Sequence, residues 1–351
     1  MSKILTIVIP TYNMERYLHR CLDSLVVDDN TLLDMLEVLV VNDGSKDSSS
    51  TIAHEYESKY PNIFRVIDKE NGNYGSCVNR GLKEASGRYI KILDADDCFN
   101  KKSFEKFLGE LKNTDADLII NNCILVSLEG KKLSEFSFKI PQVQNDSLII
   151  PVTIQMHCVA YKTRNLRKIN YSQTEGISYT DQEWIFIPMI TVKSILYIQI
   201  PLYRYTIGRA GQTMDPRVYL NSFGNELIIV KRMFLQYYSS DIDYGNAQWY
   251  LYNKIKDRIR TIYKNIIIDA RCCKDKNLIS FDNTLTKDYP DFYNNEVMNI
   301  YLGGKLHFRF IRYWKMNGYH ISLNHPAIIL YRIKEYVKRI IMPLFYFNVK
   351  K

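Results

Sequence analysis

Residues 94–97 read Asp-Ala-Asp-Asp and follow the apolar run Tyr89–Leu93. Asp94 and Asp96 are separated only by Ala95, so they converge on one spot where a buried strand ends, and Asp97 stands beside them. Carboxylates held this close repel, and one of them takes up a proton unless a cation intervenes. A divalent cation resolves the repulsion, and oxygen ligands favour Mg2+ or Mn2+. An ion held there keeps positions open for diphosphate oxygens and stabilises the charge on a departing nucleoside diphosphate. The plainer account, an acidic cap for a helix near Ser103, fits the preceding strand less well.

The elements around this cluster predict a parallel sheet with covering helices, because strand and helix signals alternate through the first third of the chain. Strands are expected at Ile4–Pro10, Leu36–Val41, Phe64–Ile67, Tyr89–Leu93 and Asp117–Asn121. Helices are expected at Met14–Val26, from the Asp43–Asp47 turn to Tyr60, at Tyr74–Ser86 and at Ser103–Lys112. Open α/β sheets bind ligands at the carboxyl ends of their strands. Four polar clusters fall there: Pro10-Thr11-Tyr12-Asn13, Asn42-Asp43-Gly44-Ser45, Asn71–Ser76 with Gly72 and Gly75, and Asp94–Asp97. Taken singly, Asp43 reads as a helix-start turn and Asn71–Ser76 as a surface loop; their recurrence at successive strand ends argues for a site. No GxxxxGK[ST] and no GxGxxG after the first strand is present, which counts against ATPase and NAD chemistry.

In order, TIVIPTYN, VVNDGSKDSS, NGNYGSCVNRGL and GRYIKILDADD resemble the family 2 glycosyltransferases of the GT-A fold, over about Lys3–Gln212. The resemblance implies a GT-A domain at 1–214. By apolar spacing a helix kinked at Pro188 is expected at Asp181–Val192 and a strand at Ser194–Ile200. Helices are expected at Tyr219–Tyr238, Ala247–Ala270, Phe292–Tyr301, Leu306–Met316 and Ala327–Phe347, so 215–351 reads as a mainly helical region with a basic amphipathic tail. The resemblance further implies an inverting transferase that moves a sugar from a nucleotide sugar, a UDP-sugar, onto a hydroxyl of a saccharide or lipid-linked saccharide in bacterial surface polysaccharide assembly. Pro10, Thr11 and Tyr12 would line the base pocket and Asp43 would bond the base. Asn71, Gly72 and Asn79 would border ribose and diphosphate. Asp94, with Ala95, would hold donor ribose or sugar, and Asp96 would be the principal protein ligand to Mn2+ or Mg2+.

The stretch YTDQEW, residues 179–184, resembles the family's base motif, which puts Asp181 in the role of catalytic base and leaves Glu183 as the second choice. A base there would take the acceptor hydroxyl proton as the oxygen attacks the anomeric carbon. Helix capping by Asp181 is the alternative. Val78 stands where the family commonly has arginine, so a phosphate contact would have to come from elsewhere, Arg80 or Lys91 being candidates. In Tyr203–Gln212, Arg204 or Arg209 could contact diphosphate or acceptor, or simply face solvent. His157 lies where some relatives bring a polar side chain to the site; a satisfied core histidine is the competing account.

Composition agrees with an ordinary globular protein, at 46% hydrophobic and 24% charged residues. Seven scattered cysteines form no paired CxxC pattern, which predicts free thiols and a reducing compartment. MSKILTIVIP has too short an apolar run for a signal peptide, and no stretch approaches the ~20 apolar residues of a membrane span. The formal charge is +9, and Ile300–Lys351 alone carries ten Lys or Arg against the single acid Glu335. Within Ala327–Phe347 apolar and basic residues alternate at helical spacing, which suits either an anionic membrane surface or packing on the protein. The expected location is cytoplasmic, peripheral at the inner face of the cell membrane, with no nucleic-acid motif to support a nucleic-acid partner. A sugar-nucleotide nucleotidyltransferase would need a Gly-rich basic loop after the first strand, which Pro10–Asn13 lacks. A non-catalytic scaffold would more readily have lost Asp96 or Asp181.

Overall fold

The computed structural model describes residues 3–145, 148–209, 212, 223–239, 245–302 and 308–348, with side chains as far as 337 except those of 239 and 246. The chain divides into two compact units, 1–210 with 241–251, and 211–240 with 252–351. The expected boundary at 214/215 lies outside the described residues.

In the first unit, strands β1 (Leu5–Thr11), β2 (Leu36–Asn42), β3 (Phe64–Asp68) and β4 (Tyr89–Ile92) form the parallel part of a ten-stranded sheet. Its order is β3-β2-β1-β4-β9-β6-β10-β5, where β5 is Cys98–Phe99, β6 Leu118–Val126, β9 Val159–Lys162 and β10 Ile195–Thr206. Between β6 and β9, β7 (Lys132–Phe136) pairs with β6, and β8 (Val143–Gln144) pairs with β10. β10 runs parallel to β6, whereas β9 runs antiparallel to both β4 and β6. β1 is buried along its whole length, as its continuous apolar run requires of a strand covered on both faces.

Helices α1 (Glu15–Asp23), α3 (Ser49–Lys59), α4 (Asn73–Glu84) and α5 (Lys101–Lys112) follow the strands as expected, with a short α2 at Asn30–Leu33. Local side-chain bonds mark their starts: ahead of α3, Asp47 Oδ1 accepts the Ser49 amide (3.0 Å), and at α5 the N-cap Asn100 accepts the Ser103 amide (3.0 Å) through Oδ1. The cap at Asn100 starts α5 two residues earlier than the apolar spacing suggested.

Three elements differ from the sequence expectation. β6 and β10 run well beyond Asn121 and Ile200. Pro201, which reads as a strand stop, is accommodated by register shifts against β6. After α6 (Thr163–Lys168), the kinked helix expected over Asp181–Val192 is instead a short α7 (Asp181–Trp184) and a 3-10 turn at Ile187–Thr191. Pro188 has no amide to donate back to a carbonyl of a continuous α-helix, and it sits instead in the first turn of the 3-10 segment, where no donor is needed.

After β10 the described chain is helical at Phe223–Ser239, Gln248–Lys264, Lys276–Asp288, Phe310–Met316 and Pro326–Asn348, all in the second unit except Gln248–Leu251, which belong to the first. Positions 219–222 and 306–307 of the expected helices lie outside the described residues. Lys276–Asp288, capped by Asp275 Oδ1 on the Leu278 amide (2.8 Å), was not evident from periodicity. Its buried Asp282 accepts from Tyr263, Tyr293 and Lys315, each at 2.7 Å, which satisfies a carboxylate that would otherwise be costly to bury.

Candidate active site at the Asp94–Asp97 turn

β1 pairs in parallel with both β2 and β4, so Thr11, Asn42 and Leu93 end at the same sheet edge. Asp43 N donates to Thr11 O (2.8 Å) and Leu93 N to Val8 O (3.0 Å), which fixes how both chains leave the sheet. After β4 the backbone folds into a turn in which Asp97 N donates to Asp94 O (2.9 Å).

β10 holds this turn from the other side. The buried Tyr203 hydroxyl donates to Asp97 Oδ2 (2.9 Å) and accepts from Asp94 N (3.1 Å), while Thr206 N donates to Asp97 Oδ1 (2.7 Å). Arg20 Nη2 donates to Asp96 O (2.7 Å) and Thr206 Oγ1 (2.9 Å). The three acids therefore point in set directions. Asp94 Oδ1 accepts from Tyr74 OH (2.8 Å), and its Oδ2 lies 3.7 Å from His157 Nε2. Asp96 Oδ2 accepts from Arg209 Nε (2.6 Å), whose guanidinium also sits over the Tyr17 ring.

His157 is pinned by its main chain and its ring. Its carbonyl accepts from Lys91 Nζ (2.8 Å), and its imidazole packs on Tyr203 and Tyr205, with both centroid distances 4.6 Å. Nδ1 is buried and has no hydrogen-bond partner among the described residues. One ligand atom each from Asp94, Asp97 and His157 lie within 4.8 Å of one another, a potential metal-binding group.

The electrostatics match that geometry. Burial, then the charges of Asp96 and Asp94, push Asp97 well above the usual carboxylate range. Asp96 is raised by burial first and by Asp94 second, and Arg209 opposes the rise. Tyr205 is raised by burial and, after it, by the charges of Asp94, Asp97, Asp96 and Asp181. A cation among these carboxylates would relieve that repulsion.

Asp181 opens α7 and is half-buried, with Oδ2 accepting from Gln182 Nε2 (2.8 Å). Its charge also raises Tyr74, behind burial and Asp94. The segment leading to it is clasped by α4. Asn79 receives the Gln173 amide (2.7 Å) and donates to Gln173 O (3.0 Å) and Glu175 (2.8 Å), and Gly176 N donates to Gly72 O (3.1 Å). At Gly75 a Cβ would fall 2.2 Å from Thr174 O, so only glycine permits this approach. Glu183 is fully buried and accepts from Thr174 N (2.7 Å) and Oγ1 (2.8 Å), a bracing position within the same segment.

At the β1–β3 ends, a cleft of about 480 Å3 is lined by Tyr12, Asn42, Gly44, Asp68, Lys69 and Asn71 among others. Tyr12 is 45% exposed there, whereas Pro10, Thr11 and Ala95 are buried. Asp43 Oδ1 accepts from Lys69 Nζ (2.6 Å) and Gly72 N (2.9 Å), and Asn71 Nδ2 donates to Asp43 O (3.0 Å). The two substitutes suggested for the missing arginine are placed otherwise. Lys91 is fully buried, bonding Asn121, His157 O and Val159 O, and Arg80 pairs on the surface with Glu84 (3.0 Å). Arg204 donates to Gly130 O (2.8 Å).

Tyr74, Tyr203 and Tyr205 were missed by sequence reasoning. The two-residue spacing of Tyr203 and Tyr205 sets them on one face of a strand, but only the partner strands tell which face.

A mostly parallel sheet with an acidic turn at its ligand-binding edge defines the GT-A class. Residues 6–149 match the model of glycosyl transferase family 2. These residues thus carry a domain of that family, and the chain is a glycosyltransferase. It is 29% identical to EpsH of Bacillus subtilis over 241 residues, covering 66% of this chain and 69% of that protein. The minor teichoic acid biosynthesis protein GgaB of Bacillus subtilis is 39% identical over 111 residues, 31% of this chain and 12% of its own length. Residues 1–349 of S. aureus TarS superpose with a TM-score of 0.62 at 19% identity, covering 92% of this chain and 94% of that one. The same TarS fragment in complex with UDP-GlcNAc gives 0.57 at 18% identity, with 96% and 91% covered. At these identities the likeness to TarS establishes the fold.

Proposed function

We propose that the protein is an inverting, metal-assisted glycosyltransferase that takes a sugar from a UDP-sugar and adds it to a hydroxyl of a saccharide or lipid-linked saccharide during bacterial surface polysaccharide assembly. The observation that supports it most is the acidic turn itself, where one ligand atom each from Asp94, Asp97 and His157 lie within 4.8 Å of one another at the carboxyl edge of the sheet. GgaB's teichoic acid role and the UDP-GlcNAc complex of TarS point to the same substrate class.

The donor set fits Mn2+ or Mg2+: carboxylates crowded at one turn, and one imidazole whose buried Nδ1 has no hydrogen-bond partner among the described residues. Asp94, Asp97 and His157 would hold the ion, with Asp96 joining once a diphosphate draws Arg209 away. A bound ion would supply charge stabilisation to the leaving diphosphate. The cleft at Tyr12 and Asp43 would take the base, and Asn71 and Gly72 would border the diphosphate. Asp181 would remove the acceptor hydroxyl proton as the acceptor oxygen bonds to the anomeric carbon. The bond from that carbon to the diphosphate oxygen breaks, its electron pair leaves with UDP, and the configuration inverts.

Calorimetric titration of nucleotide sugars, with and without Mn2+, tests this reading. Ion-dependent binding of a UDP-sugar, followed by UDP release when acceptor is added, is the expected result. Failure of every UDP-sugar to bind in the presence of the ion overturns it.

A further inference from the structure

The helix Pro326–Asn348 is two-faced over its described side chains. Ala327, Ile328 and Tyr331 are buried, and Arg332 Nη2 donates to Ile268 O (3.1 Å), which fixes that side against the second unit. Ile329, Leu330, Ile333, Tyr336 and Val337 are all exposed, Ile333 by 53% and Tyr336 by 65%. Their spacing of i, i+1, i+4, i+7 and i+8 makes one continuous helical stripe. A cleft of about 550 Å3 beside it brings Leu330 together with Met316, Arg309, Arg312 and His325. Met316 is 75% exposed, and Arg309, Arg312 and Lys334 are exposed as well.

Apolar residues grouped on an outer face call for a covering partner. A second copy joined about a two-fold axis would set one basic rim against another, in a region whose sequence carries ten Lys or Arg and one acid. A bilayer with anionic headgroups meets both features, because the stripe enters the acyl boundary while the guanidinium groups stay at the phosphates. Among the described residues no helix is long and apolar enough to cross a membrane, so the helix would lie in the interface plane. We propose that the face formed by Ile329, Leu330, Ile333, Tyr336 and Val337, with Met316 and the arginines of Phe310–Met316 and its N-terminal flank, docks the protein on a bilayer surface bearing anionic phospholipid headgroups. The proposal is independent of the donor chemistry.

Flotation of the full chain with vesicles of phosphatidylcholine, alone or mixed with phosphatidylglycerol, tests it. The parent floats with the mixed vesicles and far less with pure phosphatidylcholine, and high salt weakens the binding. Replacing both Arg309 and Arg312 by Gln lowers partitioning roughly 25-fold, about fivefold for each charge. Ile333→Asp with Val337→Asp lowers it at least about tenfold. Both pairs lie on the surface, and unchanged circular dichroism and melting verify the fold. Absence of the parent from the mixed vesicles overturns the proposal, as does equal flotation of parent and both variants. A concentration-dependent dimer abolished by Ile333→Asp, without vesicle binding, also overturns it in favour of a second copy.

Discussion

Arg209 Nε lies 2.6 Å from Asp96 Oδ2, so a guanidinium already holds the acid expected to bind the cation. Both side chains are largely buried, which makes the pair stronger than a surface ion pair. Ion and arginine therefore compete for one carboxylate. Arg209→Ala should bind Mn2+ about tenfold more tightly, the value of one hydrogen bond to a charged group at about 1.5 kcal/mol, yet bind the UDP-sugar more weakly. Asp96→Ala should lose transfer altogether. Calorimetry of ion and donor on the two variants measures both effects; unchanged ion affinity in Arg209→Ala would refute the competition.

Asp181→Asn keeps the size and hydrogen-bonding reach of the side chain and removes its basicity. Donor affinity should stay within about twofold, while turnover falls by roughly 100- to 10,000-fold, the usual contribution of a general base. Normal turnover in this variant would remove Asp181 from the role.

Gly75 carries the contact between α4 and the segment that leads to Asp181. Gly75→Ala places a methyl group 2.2 Å from Thr174 O, a backbone atom that cannot swing aside. The expected cost is about 1–3 kcal/mol of stability, as for other overpacked sites. The loss of activity should exceed what the unfolded fraction explains, because the segment carrying Asp181 is displaced. Denaturant melts and kcat measured well below the transition separate the two.

Lys91 gives a pH signature. Burial lowers its pKa from 10.5 to about 7, so the unfolded chain binds the extra proton between those values. Stability then rises with pH across this window, by up to about 1.4 kcal/mol per pH unit, and the contribution is lost as pH falls toward 7. Lys91→Met should be less stable at pH 9, since Asn121 and two carbonyls lose their donor, and should lack that rise. Urea unfolding at pH 7, 8 and 9 provides the comparison; parallel slopes for parent and variant would count against the assignment.

The local patterns were legible in the chain itself. Buried strands announce themselves by unbroken apolar runs such as ILTIVIP and YIKIL, and the ends of those strands carry their polar clusters in plain order. The acidic turn at Asp94–Asp97 could be found without coordinates, because adjacent carboxylates after a strand have few other uses. The GT-A class followed from the order of these motifs, and the matching family and the fold agree with it.

What spacing alone could not decide was which distant groups meet those acids. Tyr203 and Thr206 reach Asp97 only because β10 pairs with β5 across more than a hundred residues of sequence. Tyr74 and Asp94 meet because α4 begins at the same sheet edge at which β4 ends, and Arg209 returns to Asp96 from beyond β10. Lys91 has the sequence of a phosphate ligand and the surroundings of a core residue, since β9 covers it. Strand order and register are nonlocal, set by burial of whole faces, and no local signal encodes them.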